Sequence, residues 1–160
     1  MKAFVKFLAV VTVLAVLFAG YVVWAADASV SYQGYQVESA LDRSDAFNGV
    51  ISAARSGGDS VVSYDISNIG AAEQYEFVTY TVKISNRDVL PLEWIDIQLT
   101  SQTGDVLMVK PTISDVPAFN QALVSFSLLV DRNAASGYQR TATLTYYIYG
   151  HAKTVKLELK

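Results

Sequence analysis

The sequence predicts an all-β domain, an antiparallel β-sandwich of about seven to eight strands, preceded by one transmembrane α-helix. Three observations predict this: an uncharged apolar run near the N-terminus, alternation of apolar and polar residues along most of the remaining chain, and turn residues between the alternating segments. The segment 27–160 is long enough for one domain with a buried core. We expect no second domain.

The apolar run extends from Phe7 to Ala26 and contains no charged residue. About 20 residues at about 1.5 Å per residue span roughly 30 Å, which matches the hydrocarbon core of a bilayer. Lys2 and Lys6 precede the run, and basic residues stay on the cytoplasmic side. We therefore expect a single-pass protein of the cytoplasmic (plasma) membrane, with residues 1–6 in the cytoplasm, a signal anchor at 7–26 and an extracytoplasmic domain at 27–160.

A cleaved secretory signal is the alternative interpretation of the same run. Small residues near Ala26 and Ala28 offer a cleavage site, and a signal peptide also begins with basic residues. The run is longer than the apolar region of a typical signal, which has about 7–15 residues. Tyr21 and Trp24 also lie where aromatic residues concentrate at the outer membrane interface. These features favour an uncleaved anchor, and a secreted protein remains the alternative.

Composition excludes several classes of function. The chain has no cysteine, so disulfides, thiolate metal sites and cysteine nucleophiles are excluded. The net charge is −3, and it becomes more negative outside the membrane because Lys2 and Lys6 lie at the cytoplasmic end. No basic patch is present for nucleic acid. An exported domain without disulfides or glycosylation sequons favours a prokaryotic source.

The strand pattern is clearest in the segment Phe77 to Ile84. Val78, Tyr80, Val82 and Ile84 alternate with polar residues, as expected for a strand with one buried face. The same period recurs, more briefly, in Val30–Leu41, Val61–Ile66, Ile95–Leu99, Val124–Val130, Ala142–Ile148 and Val155–Leu159. We expect the last two strands to form a hairpin around Gly150-His151.

Three local features qualify this pattern. Gly34 interrupts the alternation of its strand, which predicts a β-bulge. The stretch from Asp42 to Ser60 shows no strand period. Its portion from Ala46 to Arg55 could form a short helix that Gly57-Gly58 would end, but Gly49 weakens it, so we expect a loop with one helical turn. The ten tyrosines are expected at the rim of the core with their hydroxyls in water. Two packed sheets are the favoured arrangement, with a closed barrel as the alternative.

The segment Tyr75–Leu99 resembles the middle strands of prokaryotic extracytoplasmic immunoglobulin-like modules, including the CARDB-type repeats. The resemblance lies in a Tyr-x-Val-x-Ile strand at Tyr80–Ile84, Asn86 at the turn, and an Ile-x-Leu strand ending at Leu99. It implies an immunoglobulin-like β-sandwich and carries over no functional residue. The chain departs from the family pattern in having a single module and Asn86-Arg87-Asp88 in place of an Asn-x-Gly turn.

Residues that could support catalysis are few. His151 is the only histidine, the chain contains no Gly-x-Ser-x-Gly motif, and we expect His151 to be a solvent-exposed turn residue. The carboxylate pairs Asp42/Asp45 and Glu93/Asp96 are expected on solvated surfaces rather than in a hydrolase site. The sequence therefore predicts a protein that is not an enzyme and has no cofactor.

The polar stretch from Asp42 to Ser60 carries oxygen-bearing side chains of the kind that bind calcium. Asp42, Asp45, Asn48 and Asp59 supply oxygen ligands within one polar stretch, but their order does not fit an EF-hand loop. No metal site is predicted.

Trp94, Tyr147 and Tyr149 are the residues expected to contact a partner. Trp94 is out of phase with the apolar residues of its strand and should face away from the core, where exposed tryptophan often anchors a protein interface. Covering an open sheet edge is the alternative role for Trp94. Tyr147 and Tyr149 lie on a strand face near the end of the same domain.

These features together predict a membrane-anchored, non-enzymatic module that binds another protein in adhesion, assembly or an accessory role at the cell surface. One alternative is a structural subunit of a membrane complex or surface filament, because the last strand could lie at a sheet edge and pair with another chain. Homo- or hetero-oligomers fit either interpretation.

Overall fold

Alternating apolar and polar residues form strands along most of the chain after an N-terminal helix. The computed structural model describes residues 2–113, 115–135 and 137–160. Its helices are α1 (Lys2–Ala25), α2 (Ser44–Arg55) and a short 3-10 helix (Ala72–Gln74). Its strands are β1 (Ala28–Ser39), β2 (Val61–Ser63), β3 (Tyr75–Asn86), β4 (Glu93–Leu99), β5 (Asp105–Val109), β6 (Gln121–Asp131), β7 (Arg140–Ile148) and β8 (His151–Leu159). The prediction of a mostly β chain with an N-terminal apolar helix is confirmed.

The strands form two antiparallel sheets. One sheet has the order β1-β3-β6-β5-β2, and the other has the order β4-β7-β8. The strands thus divide into two ladders and do not close into the single barrel that was the alternative. Strand β1 lies beside β8 at one side of the molecule, where the two sheets meet.

Two glycines have positive φ angles at points that determine strand register. The register of β1 against β3 shifts between Tyr32 and Gly34, and Gly34 has a φ of 139°, so the predicted bulge is present. Strands β7 and β8 form the predicted hairpin, with Ile148 paired to His151. Its two turn residues are Tyr149 and Gly150, with φ angles of 54° and 73°, as a type I′ turn requires. The turn therefore lies one residue earlier than predicted.

The main hydrophobic core contains side chains from both sheets. Val78, Tyr80, Val82 and Ile84 of β3, which the sequence assigned to one face, are all fully buried in it. The three-stranded sheet contributes residues of β4 and β7, among them Ile97, Leu144 and Tyr146. Each large apolar side chain buried in this way stabilises the fold by about 1.5–3 kcal/mol relative to its exposed state.

The segment expected to be a loop with one helical turn contains a full helix, α2, of 12 residues. Phe47 and Ile51 of α2 are buried in a second, smaller core together with Phe77, Leu107 and Leu129 of the five-stranded sheet. This packing offsets the helix cost of Gly49, which amounts to roughly 1 kcal/mol. The helix ends at Arg55, and Gly57 beyond it has a φ of 72°, so that the amide of Gly58 donates to the carbonyl of Ala53 at 2.9 Å.

Two of the tyrosines, Tyr80 and Tyr146, do not reach water, in contrast to the prediction for the tyrosines. Tyr80 and Tyr146 are fully buried. The hydroxyl of Tyr80 donates to the carbonyl of Tyr138 at 2.5 Å, and that of Tyr146 donates to Asp27 Oδ1 at 2.5 Å. Because the protein itself supplies the acceptors, the rings can occupy the centre of the core.

Candidate interaction surface next to α1

The connection between α1 and the β-domain is short and held in place by the domain. Only Ala26 and Asp27 separate α1 from β1. Ala26 is 2% exposed and belongs to the main core. The carboxylate of Asp27 accepts the hydroxyl of Tyr146 and also the amide of Ala28, the latter at 2.8 Å. The end of α1 is therefore attached to the domain through the core and β7.

Helix α1 itself makes little contact with the domain. Its segment Lys2–Trp24 is long and apolar enough to cross a membrane, with a mean hydropathy of 2.5, and its most apolar window is 0% buried. Tyr21 and Trp24 lie near its C-terminal end and pack against each other, with ring centroids 6.4 Å apart. The apolar side chains of α1 are therefore exposed rather than packed against the described β-domain.

Three connections of the β-domain lie at the same end as α1. They are the β3–β4 loop, the loop before β6 and the β7–β8 turn. The first two lie there because Ala28 pairs with Asn86 and Ser85 with Gln121. The turn lies there because Tyr146 bonds to Asp27 and Tyr149 to Asp88. Asn86, which is 2% exposed, holds the first two loops together. Its Nδ2 donates to the carbonyls of Leu90, Val116 and Pro117 at 2.8, 3.2 and 3.1 Å.

This end of the domain presents a group of exposed apolar and aromatic side chains, which we name the helix-proximal rim. Its members lie in the β3–β4 loop, at the start of β4, in the loop before β6 and at the end of β7: Val89, Leu90, Trp94, Phe119 and Tyr147. Trp94 and Phe119 are 77% and 70% exposed. Side chains of this size and type are seldom left in water as a group.

Trp94 has the outward orientation that its position in the alternation predicted. The register of β4 against β7 shifts between Glu93 and Asp96, so Trp94 lies in an irregularity of an edge strand. Its φ of 53° is unusual for a bulky residue. This backbone conformation turns the indole away from the sheet.

The three predicted contact residues have different environments. Tyr147, which is 41% exposed, pairs with Glu93 and so lies close to Trp94. Tyr149 packs against the main core, and its hydroxyl donates to Asp88 Oδ1 at 2.8 Å. Burial, together with this hydrogen bond, raises the pKa of Tyr149 above its ordinary value. Tyr149 thus stabilises the β3–β4 loop. The residues that remain available to contact another molecule are Trp94 and Tyr147.

Sequence reasoning missed Phe119, Val89 and Leu90. Phe119 lies between Pro117 and Asn120 in a loop without periodicity, so no alternation assigned it to a face. Its amide donates to the carbonyl of Asp88 at 3.2 Å, which links its loop to the β3–β4 loop. A large apolar residue in a turn-rich stretch was the available signal.

The residues considered for catalysis lie on three different elements of the described chain, at β4, around the start of α2 and at the start of β8. His151 is exposed at the start of β8, and Asp42 and Asp45 are exposed around the start of α2. Asp96 accepts a hydrogen bond from the side chain of Gln98 at 3.0 Å. Within the described ranges, no group of three or more histidines and carboxylates is placed to hold a metal ion. Asp45 and Asn48 lie on α2, Asp42 precedes the helix and Asp59 follows it, so the helix separates Asp59 from the other three residues considered for calcium.

A cleft of about 410 Å³ lies at the opposite end of the domain, where Asp65, Asp105 and Asp131 are among its lining residues. Each of these carboxylates has an internal partner. Asp65 accepts the hydroxyl of Ser67 at 2.7 Å, which lowers its pKa. Asp131 accepts the amide of Asn133 at 2.8 Å, and Asp105 forms a buried ion pair with Arg140. The cleft is built from groups that stabilise turns and the contact between the sheets.

Comparisons with known proteins add little to this geometry. No protein-family model matches the sequence, and no curated protein matches it either. Among solved structures, the chain is similar to a FixG-related protein from Vibrio parahaemolyticus, with 13% sequence identity, a TM-score of 0.37, and coverage of 84% of this chain and 94% of that one. A likeness at this TM-score supports no conclusion about function.

Proposed function

We propose that the protein is a membrane-anchored, non-enzymatic module that displays one immunoglobulin-like β-sandwich outside the cytoplasmic membrane and binds another protein there. The observation that carries this proposal is the exposed apolar helix joined to the β-domain by two residues, of which one is buried in the domain core. A helix held in this way serves to place the domain at a membrane surface.

The strand order supports the immunoglobulin-like part of the proposal. Constant-type immunoglobulin domains have strands A, B, E and D in one sheet and C, F and G in the other. With β1, β3, β4, β5, β6, β7 and β8 taken as A to G, the observed sheets have the orders A-B-E-D and C-F-G, with β2 added beside D. Helix α2 and β2 are then an insertion between A and B.

The distribution of charged groups supports binding rather than chemistry. The carboxylates in the cleft at the far end are engaged in turns and in an ion pair. His151 is exposed at a hairpin, and none of the described hydrogen bonds joins it to a carboxylate. Domains of this type present binding surfaces on loops and sheet faces of a rigid scaffold.

Topology is tested with single cysteines, because the natural chain has none. Ala3→Cys and Lys156→Cys place one thiol at each end without removing Lys2 or Lys6, and both positions are exposed. A membrane-impermeant maleimide should label Lys156→Cys in intact cells and Ala3→Cys only after the membrane is permeabilised. The reverse pattern, or recovery of the protein in the soluble fraction, contradicts the proposal.

A second candidate function is a structural subunit of a membrane complex or filament. The observation that favours it is the position of β8 at the edge of the three-stranded sheet, where another strand could pair with it. Extraction in a mild detergent followed by sizing separates the two proposals. A single protomer opposes the subunit, and a large particle of fixed stoichiometry supports it.

A further inference from the structure

The helix-proximal rim lies at the one end of the domain whose distance from a membrane is limited by covalent structure. Two residues separate α1 from β1, and two extended residues span at most about 7 Å. Hydrogen bonds from Tyr146 and Ala28 to Asp27 restrict this connection further. The lipid headgroup region on each side of a bilayer is itself roughly 5–8 Å thick. The short connection therefore holds this end of the domain close to the end of α1.

We propose that the helix-proximal rim lies in the interfacial layer of the same bilayer that α1 crosses, with Trp94 and Phe119 inserted among the lipid headgroups. This inference rests on the anchor of the proposed function, because it requires α1 to stay in the membrane, and the protein partner of that proposal would then contact the domain outside the rim. The occupant of the rim is lipid rather than a protein partner. No polar stalk separates α1 from the domain, so the apolar surface of α1 and its ring pair, Tyr21 and Trp24, lie next to the end of the domain that carries the rim.

The composition of the rim fits a membrane interface. Trp and Tyr concentrate at headgroup depth, where an apolar ring is buried and the polar atom of the ring stays hydrated. Val89 and Leu90, which are exposed in the β3–β4 loop, add aliphatic surface to the same end. The exposed Arg87 lies in the same loop and offers a cation for lipid phosphate.

Two of the acidic groups at this end are engaged within the protein, whereas Glu93, which precedes Trp94, is exposed. Asp27 accepts the hydroxyl of Tyr146, and Asp88 accepts that of Tyr149. Their carboxylates are thus directed to partners inside the domain. This arrangement reduces the repulsion and desolvation that free carboxylates meet close to a bilayer.

Backbone strain is concentrated at the same end. The non-glycine residues with positive φ in the described chain are Trp94, Phe119 and Tyr149, at 53°, 53° and 54°. This conformation is uncommon for bulky residues. Tyr149 occupies a hairpin turn and bonds to Asp88, whereas Trp94 and Phe119 end in solvent-exposed side chains.

The experiment uses the two tryptophans of the full-length chain as depth probes. Trp24→Phe leaves Trp94 as the only tryptophan, and Trp94→Phe leaves Trp24. A third variant carries both Phe substitutions with Gln102→Trp, which places the probe at an exposed position at the far end of the domain. Each variant is reconstituted into phosphatidylcholine vesicles with or without brominated acyl chains, and its circular dichroism is compared with that of the natural chain to confirm folding.

Brominated lipid should quench Trp94 several-fold more strongly than the tryptophan at position 102, and Trp94 should be protected from aqueous acrylamide. Quenching of Trp24 by lipid without quenching of Trp94 overturns the inference and leaves the anchor in place. Absence of lipid quenching at Trp24 overturns both the anchor and the inference. Protection of Trp94 from both quenchers identifies a contact between copies of the protein and also overturns the inference.

Discussion

Replacing Arg140 with Met should be among the most destabilising single changes in the domain. Arg140 at the start of β7 and Asp105 at the start of β5 belong to different sheets, and their side chains are 1% and 0% exposed. The guanidinium donates through Nε to Asp105 Oδ2 at 3.0 Å and through Nη2 to Oδ1 at 2.5 Å. The ion pair thus joins the two sheets at the end opposite α1.

The magnitude follows from what Arg140→Met leaves behind. The Asp105 carboxylate stays buried, and its remaining donor is the backbone amide of Gln102 at 2.8 Å. An uncompensated buried charge of this kind costs about 3–5 kcal/mol of unfolding free energy. Neutralising the carboxylate as well, with Asp105→Asn in the same chain, should recover part of this loss because the buried charge is removed.

The assay is urea unfolding of the full chain in detergent, followed by the circular dichroism of the β-domain. Glu38→Gln is the matched control, because its ion pair with Arg43 is about half exposed and should contribute less than about 1 kcal/mol. An Arg140→Met protein no less stable than the Glu38→Gln protein would refute the reasoning. So would a double variant that is less stable than Arg140→Met alone.

Three further changes test other parts of the fold. Ile51→Ala removes a buried contact between α2 and the five-stranded sheet and should lower the free energy of unfolding by about 2–5 kcal/mol. Urea unfolding measures this loss against the control Ser52→Ala, which lies on the exposed side of α2. Equal stabilities of the two variants would show that α2 does not pack there. Gly104→Ala should lower the melting temperature, because Gly104 has a φ of 92° and a Cβ there would lie 2.8 Å from the amide nitrogen of Ala135. The control is Gly49→Ala, which should not lower the melting temperature because its Cβ would meet no neighbour within 4 Å. Burial and the hydrogen bond to Asp27 raise the pKa of Tyr146 from 10.0 to about 12. As the pH rises, the unfolded chain therefore loses this proton before the folded chain does. The stability that this group contributes is complete below about pH 10 and should be lost between about pH 10 and 12. Tyr146→Phe should reduce that alkaline slope in unfolding curves, and an unchanged slope contradicts the assignment.

The parts of the fold that could be predicted are those in which one residue pattern extends over many positions. The uncharged run predicted α1, and the alternation of Val78, Tyr80, Val82 and Ile84 predicted which face of β3 is buried. Gly34 predicted a bulge because an isolated glycine in a strand seldom serves regular pairing. Each of these predictions depends on local sequence alone.

Helix α2 is longer than the single turn predicted, although its sequence carries the signal of a full helix. Phe47, Val50, Ile51 and Ala54 recur at the i, i+3, i+4 and i+7 spacing of an amphipathic helix, and all four lie in or against the second core. This spacing outweighs the helix cost of Gly49. Packing against the sheet determines the outcome, because short helices gain most of their stability from tertiary contacts.

The candidate site was predictable only in part. Trp94 could be assigned to an exposed position from its phase in the strand, but nothing local indicates that Phe119 lies at the same end. That end is assembled by strand pairing between distant segments and by Asn86, which bonds to residues 30 and 31 positions away. The Asp105–Arg140 pair, 35 residues apart, likewise has no signal in the sequence.

The most direct test of the account is the intact mass of the polypeptide isolated from the membrane fraction of cells that make it naturally. The account predicts a mass that includes α1, because the helix is the anchor and places the rim at the bilayer. A mature polypeptide that begins near Ala26 and is recovered outside the membrane would contradict it.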